Sequence, residues 1–121
     1  MALKMRKNKV APPPEGCPLS TCLSVIGGAW APNIIWYLSE SPRRFSELKA
    51  DIPGVSSKML TQRLKELQEL GVIARTVKPT SPPSVEYALT DLGEELVPAI
   101  NAIVAVGHKL KARKQAAEAA A

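Results

Sequence analysis

A mainly α-helical domain carrying one small β-hairpin is what the sequence predicts, on three observations. Apolar residues recur at helical spacing in short segments punctuated by Pro and Gly. Only one pair of adjacent β-prone runs occurs, "VIARTVK" at 72–78 and "SVEYALT" at 84–90. The apolar content of 45% includes only five aromatic residues among 121, so the interior is aliphatic and helix-rich. A chain of that length holds one domain and one core.

Residues 1–15 read as a flexible arm, basic at first and then "APPPEG", which is extended and cannot start a helix. The first helix is "PLSTCLSVI", with Leu19, Cys22, Leu23 and Ile26 on one stripe and Gly27 and Gly28 as its stop. Cys22 on that stripe reads as core. Pro32 suits the first turn of a second helix, in which Ile34, Ile35, Trp36 and Leu38 are expected to be mostly buried. "SPRRF" is a turn with room for a short strand, and Ser46 is placed to cap a third helix, "SELKAD", stopped by "IPG".

The fourth helix carries the argument. In "SSKMLTQRLKELQELG", Ser56 is the expected N-cap and Gly71 the C-terminal stop. Leu60, Leu64, Leu67 and Leu70 form an apolar stripe. Ser57, Lys58, Thr61, Gln62 and Lys65 fall opposite it, with Arg63 toward the edge and no acid before Glu66. The two β-prone runs then form a hairpin whose "PTSPP" tip projects as a loop, with Lys78 its only cation. Thr90 caps a long last helix that has acids in its first turns and Pro98 as a kink site. The domain spans 16–107, followed by a basic, Ala-rich helical tail at 108–121.

Charge is unevenly spread. The formal net charge is +5. Residues 43–78 carry eight Lys/Arg against four Asp/Glu, whereas 84–95 carry four acids and no Lys or Arg. That polarity points to a nucleic-acid face rather than a membrane. No apolar run reaches the ~18 residues of a membrane span, and no secretory h-region follows the basic start. Two cysteines in no metal-ligand spacing fit a reducing cytoplasm, and no metal or cofactor is expected. His108, in a basic helix end, is assigned no function.

Three helices, a polar-faced fourth and a hairpin follow the order of a winged helix-turn-helix, with the N-terminal half of the fourth helix entering the major groove. The motifs "CPLSTCLSVIGGAW", "RRFSELKADIPGVSSKMLTQRLKELQELGVIAR" and "PPSVEYALTDLG" closely resemble the HxlR-type branch of the MarR-like winged-helix regulators. The resemblance covers about residues 16–107. It implies a dimeric bacterial transcription regulator, and several such proteins sense quinones, aldehydes or oxidants through the cysteine before the proline. By position it assigns sensing to Cys17, base and groove contacts to Ser57, Lys58, Met59, Thr61, Gln62 and Arg63, and backbone proximity to Arg43 and Arg44. With Ser56, Lys65 and Lys78 these complete the expected DNA-binding set. The chain departs from the family pattern at Ala29, which removes a common cation near the DNA-proximal region, and at Ser84 in the wing, where an Arg is common, so a weaker wing insertion is expected.

Cys17 precedes Pro18 at a helix start, where unpaired N–H groups and the helix dipole favour the thiolate. The plainer reading is a buried, inert cysteine. In the last helix Leu92, Leu96, Ile100, Ile103 and Val104 form one stripe, widened by Val97, Val106 and Leu110. That exceeds what one small domain needs, so a homodimer through the N- and C-terminal helices is expected, reading an inverted-repeat operator. The function expected is a DNA-binding regulator, a repressor by preference, answering oxidants or electrophiles through Cys17. Three alternatives stand beside it. One is control by a small ligand in an inter-helix pocket lined by Trp30, Trp36 and Tyr37. Another is a thiol enzyme using Cys17, disfavoured because no base pairs with it by any recognisable motif. The last is a winged helix that binds protein.

Overall fold

In the computed structural model, residues 17–120 are described; the expected N-terminal arm lies outside them. Among the described residues, five helices and three short strands follow one another. Helix α1 (Pro18–Ile26) has Pro18 in its first turn and Gly27 as its C-cap. Helix α2 (Ala31–Leu38) has Pro32 in its first turn and buries Ala31, Ile34, Ile35 and Leu38, while Trp36 stays 43% exposed. The expectation that Trp36 is buried is corrected: its neighbours Ile34, Ile35 and Leu38 fill the core side.

Strand β1 (Arg43–Arg44) leads directly into α3 (Phe45–Asp51), and α4 (Ser57–Glu69), β2 (Ile73–Lys78), β3 (Ser84–Leu89) and α5 (Asp91–Ala120) complete the chain. Ser46 is not the cap of α3. The helix begins at Phe45, because the Glu47 carboxylate reaches back to accept the Arg44 N–H at 2.9 Å. The hairpin is part of a three-stranded antiparallel sheet in the order β1-β3-β2, with Arg43 opposite Tyr87 and Ile73 opposite Leu89.

The aliphatic core lies where α2, α3 and α4 meet. Leu48, Ile52, Val55, Leu60, Leu64 and Leu67 are almost wholly buried there, and Val72, Ile73 and Ile100 extend the cluster to the sheet and α5. The α1 stripe behaves differently. Ile26 is buried and Cys22 is half-buried, but Leu19 and Leu23 are 66% and 49% exposed. Cys22 is therefore at the margin of the core, not inside it.

Two joints hold the elements in register. Helix α4 ends in a Schellman turn: Val72 N–H donates to the Leu67 carbonyl at 2.9 Å and Gly71 N–H to Gln68 at 3.0 Å, with Gly71 at φ +76. Thr90 caps α5, its Oγ1 accepting the Gly93 N–H at 3.2 Å, and its own N–H donates to the Val72 carbonyl at 3.0 Å. Gly93 packs so closely on Val72 that a β-carbon there would collide with the Val72 carbonyl oxygen. The start of α5 is thus tied to the end of α4. Helix α5 runs unbroken through Pro98 to Ala120. Among the described residues, no helix is long and apolar enough to cross a membrane.

Candidate nucleic-acid interface

Helices α3 and α4 form the helix-turn-helix pair. The turn between them needs a left-handed residue and uses Gly54 at φ +81. Trp30 at the start of α2 also lies in the left-handed region, at φ 70. Such a conformation costs on the order of 1–2 kcal/mol for a non-glycine residue. Packing compensates: a β-carbon on Gly54 would sit 3.7 Å from the Trp30 indole, so the ring lies over the turn.

The Ser56 hydroxyl accepts the Met59 N–H at 3.1 Å and fixes where α4 begins. That start sets which side chains face out. Ser57, Lys58, Thr61, Gln62 and Lys65 are exposed, and Leu60, Leu64 and Leu67 are buried behind them. The first turn holds no acid, so its free N–H groups and Lys58 present an uninterrupted positive end. Thr61 spends its hydroxyl proton on the Ser57 carbonyl at 2.7 Å, and its oxygen stays available as an acceptor. Met59 is half-buried against the core.

Arg63, expected at the edge of the outward face, is bonded within the protein. Its Nε donates to the Ala29 carbonyl at 3.0 Å and its Nη1 meets Glu66 at 2.5 Å, with only 22% of the side chain exposed. It ties α4 to the turn before α2. Gln62 also donates to Glu66, at 3.2 Å. The Arg63 hydrogen bond first, then that from Gln62, holds the Glu66 carboxyl below its ordinary value. The one acid in the middle of α4 is therefore engaged within its own helix.

Arg43 and Arg44 diverge, as neighbours on a strand must. Arg44 is exposed at the start of α3. Arg43 turns into a cleft lined by residues of α2, α3 and α5, and pairs with Glu40 at 3.6 Å. Lys78 is half-buried at the end of β2, opposite Ser84. The hairpin tip is braced by Thr80, whose hydroxyl donates to the Pro82 carbonyl at 2.8 Å. Arg75, exposed on β2 between α4 and that tip, is a further cation on the wing that the sequence-based set lacks. Its signal was its place on the strand leading to the tip, within the basic segment 43–78.

Cys17 lies apart, at the N-cap of α1 and exposed. The backbone N–H groups of Ser20 and Leu19, with the Ser20 hydroxyl, lower its thiol pKa from the ordinary value. Cys22 is one wall of an apolar groove of ≈ 440 Å³ between α1, Leu70, Val72 and the start of α5. Trp36 and Tyr37 line the Arg43 cleft, whereas Trp30 sits over Gly54 instead of joining them.

The HxlR-like helix-turn-helix family matches residues 25–115. The uncharacterized HTH-type transcriptional regulator YdeP of Bacillus subtilis is 42% identical over 106 residues, covering 88% of this chain and 83% of its own. Among solved structures, the redox regulator HypR in its oxidized form superposes with a TM-score of 0.74 at 34% identity, covering 77% of this chain and 96% of HypR. The reduced form of the transcriptional regulator YodB from B. subtilis superposes at 0.68 with 38% identity, covering 74% and 88%.

Proposed function

We infer the function from one premise: the chain belongs to the HxlR-like helix-turn-helix family, whose relatives are transcriptional regulators. On that premise it is a DNA-binding regulator of winged-helix form, and the finer reading is ours. Two copies join through α1 and α5, and each inserts α4 into the major groove of one half of an inverted-repeat operator. Ser57, Lys58, Thr61, Gln62 and Lys65 read bases and phosphates, with Arg44, Arg75 and Lys78 on the flanking backbone. Arg63 acts through position, holding α4 against the turn before α2. The protein works as a repressor in the cytoplasm.

Its signal is an oxidant or a soft electrophile, such as a quinone, taken up at Cys17. The observation that carries this is the N-cap position of an exposed thiol whose thiolate is favoured by two backbone N–H groups. The redox regulator HypR, to which this chain is similar, supports the reading. Leu19 and Leu23 on α1 and Ile103 and Val106 on α5 are exposed apolar side chains, and in this reading they lie in the contact between the two copies. A modified Cys17 would alter how two copies meet, and hence the spacing of their α4 helices.

The test is fluorescence anisotropy on the duplex upstream of the protein's own gene, using reduced protein, diamide-treated protein and Cys17→Ser. The expected result is an affinity that shifts with diamide in the wild type and stays fixed in Cys17→Ser. Equal binding by all three would leave a regulator whose signal does not enter at Cys17.

A further inference from the structure

Strand β3 carries an acid in the middle of the sheet's basic outer face. Glu86 stands directly opposite Arg44 of β1 on one side and Thr76 of β2 on the other. Directly opposed residues share a face of the sheet, with β-carbons about 5 Å apart. The other face, with Ile73, Tyr87 and Leu89, packs on the core, so Arg44, Glu86 and Thr76 form a row across the outer face. Lys78, opposite Ser84, lies on that same face two residues nearer the hairpin tip. The diagonal spacing of strands puts it about 7–8 Å from Glu86. One acid thus sits between the two cations of this face.

The acids closest in sequence to the start of α3 and to the middle of α4 are already engaged. Glu47 accepts the Arg44 N–H at 2.9 Å, and Glu66 is held by Arg63 and Gln62. Glu86 differs. Among the described residues, the ion pairs are Arg43–Glu40 and Arg63–Glu66, and neither Glu86 nor Arg44 belongs to one. Glu86 is half-buried and Arg44 is exposed. Opposite charges at this range attract without being locked together, and an arriving phosphate competes for the same guanidinium.

We propose that Glu86 is a charge brake on DNA binding: it contends with the duplex phosphates for Arg44 and so weakens backbone attraction on every sequence alike. This deepens the DNA-binding reading and rests on it. A guanidinium given wholly to phosphate adds about 0.9 to the slope of log K against log salt. An acid set against Arg44 holds back part of that contribution. The part held back carries no sequence information, because phosphate contacts position the protein and base contacts specify. Occupancy then depends more on what α4 reads, and unrelated duplex is left largely unbound.

The test is fluorescence anisotropy of the full chain on two duplexes, the one upstream of its own gene and a scrambled one of equal length, at several salt concentrations. Glu86→Gln should bind both duplexes about fivefold more tightly at about 50 mM salt, with a slope steeper by about half a unit or more. Glu86→Thr, which suits a strand, should reproduce the gain and separates charge from any distortion caused by the amide. In an Arg44→Gln background the same substitutions should change affinity by less than about twofold. Unchanged or weaker binding by both Glu86 variants, a gain confined to one duplex, or an equal gain without Arg44 would overturn the proposal while leaving the DNA-binding reading in place. Wild type that binds neither duplex at any salt would overturn that reading and the brake with it.

Discussion

The α3–α4 pair and the outer sides of α1 and α5 are built from the same aliphatic residues and end in opposite conditions. In α3–α4 the stripe Leu48, Leu60, Leu64 and Leu67 is buried to within 2% of complete, the helix start is capped by Ser56, and the stop is a full Schellman turn. On α1 and α5, Leu19, Leu23, Leu92, Ile103, Val106 and Leu110 all remain about half exposed or more. One region satisfies itself within a single copy of the chain, and the other does not. A self-contained unit suits rigid presentation of side chains to DNA, because its geometry does not depend on assembly. An unsatisfied apolar face makes the placement of two such units depend on what covers it.

The sharpest way to break the comparison is to open the self-contained side. Leu64→Ala removes a side chain that is 1% exposed. It should cost about 2–5 kcal/mol of unfolding free energy, measured by urea denaturation. A loss well under 1 kcal/mol would mean that α4 is not held by its stripe. The opposite result is expected across the molecule. Ile103→Asp, at a side chain 54% exposed, should leave the unfolding of an isolated chain nearly unchanged while weakening self-association by about 30-fold or more, read by sedimentation velocity. Unchanged association would remove α5 from the interface.

How much of this was legible in the sequence follows the same division. The α4 stripe from Leu60 to Leu67, its Ser56 cap, the Gly71 stop and the hairpin are local signals, and each is seen in the structure; Leu70, expected on the same stripe, is instead 52% exposed at the helix C-cap. What escaped is non-local. A two-residue strand has no periodicity, so nothing in "RR" says that Arg43 turns inward and Arg44 outward. The pairing of β1 with β3 joins residues more than 40 apart in sequence. The Arg63–Ala29 hydrogen bond spans 34 residues, and helical spacing alone assigns Arg63 to the edge of the reading face. Exposure of Leu19 and Leu23 was equally hidden, because a stripe shows that a helix wants a partner without showing whether the same copy supplies it.

A smaller effect sharpens the picture of the reading face itself. Lys58→Ala and Lys65→Ala should each weaken duplex binding about equally across sequences and lower the slope of log K against log salt by about one. Arg63→Ala should behave differently. Its guanidinium is committed to Ala29 and Glu66, so the salt slope should change little while thermal stability falls. Anisotropy titrations at several salt concentrations separate the two. A full unit of slope lost in Arg63→Ala would return that residue to the phosphate contacts.

The smallest expected effect concerns Glu66, which joins the reading face to the frame behind it. Arg63 and Gln62 hold its carboxyl below the ordinary value of 4.5, so the folded state favours the charged form more than the unfolded chain does. The stabilisation is therefore fully present above the unfolded value and fades as pH falls through the lower, folded one. Glu66→Gln should be slightly less stable than wild type at pH 7, and the two should converge once the pH is taken below the carboxylate range. Urea denaturation at pH 7 and pH 3 measures this directly. A gap that persists at pH 3 would assign the difference to shape and hydrogen bonding rather than to charge. In that case Arg63 would be anchored mainly by its bond to the Ala29 carbonyl, and the tie between α4 and the turn before α2 would hold with Glu66 neutral.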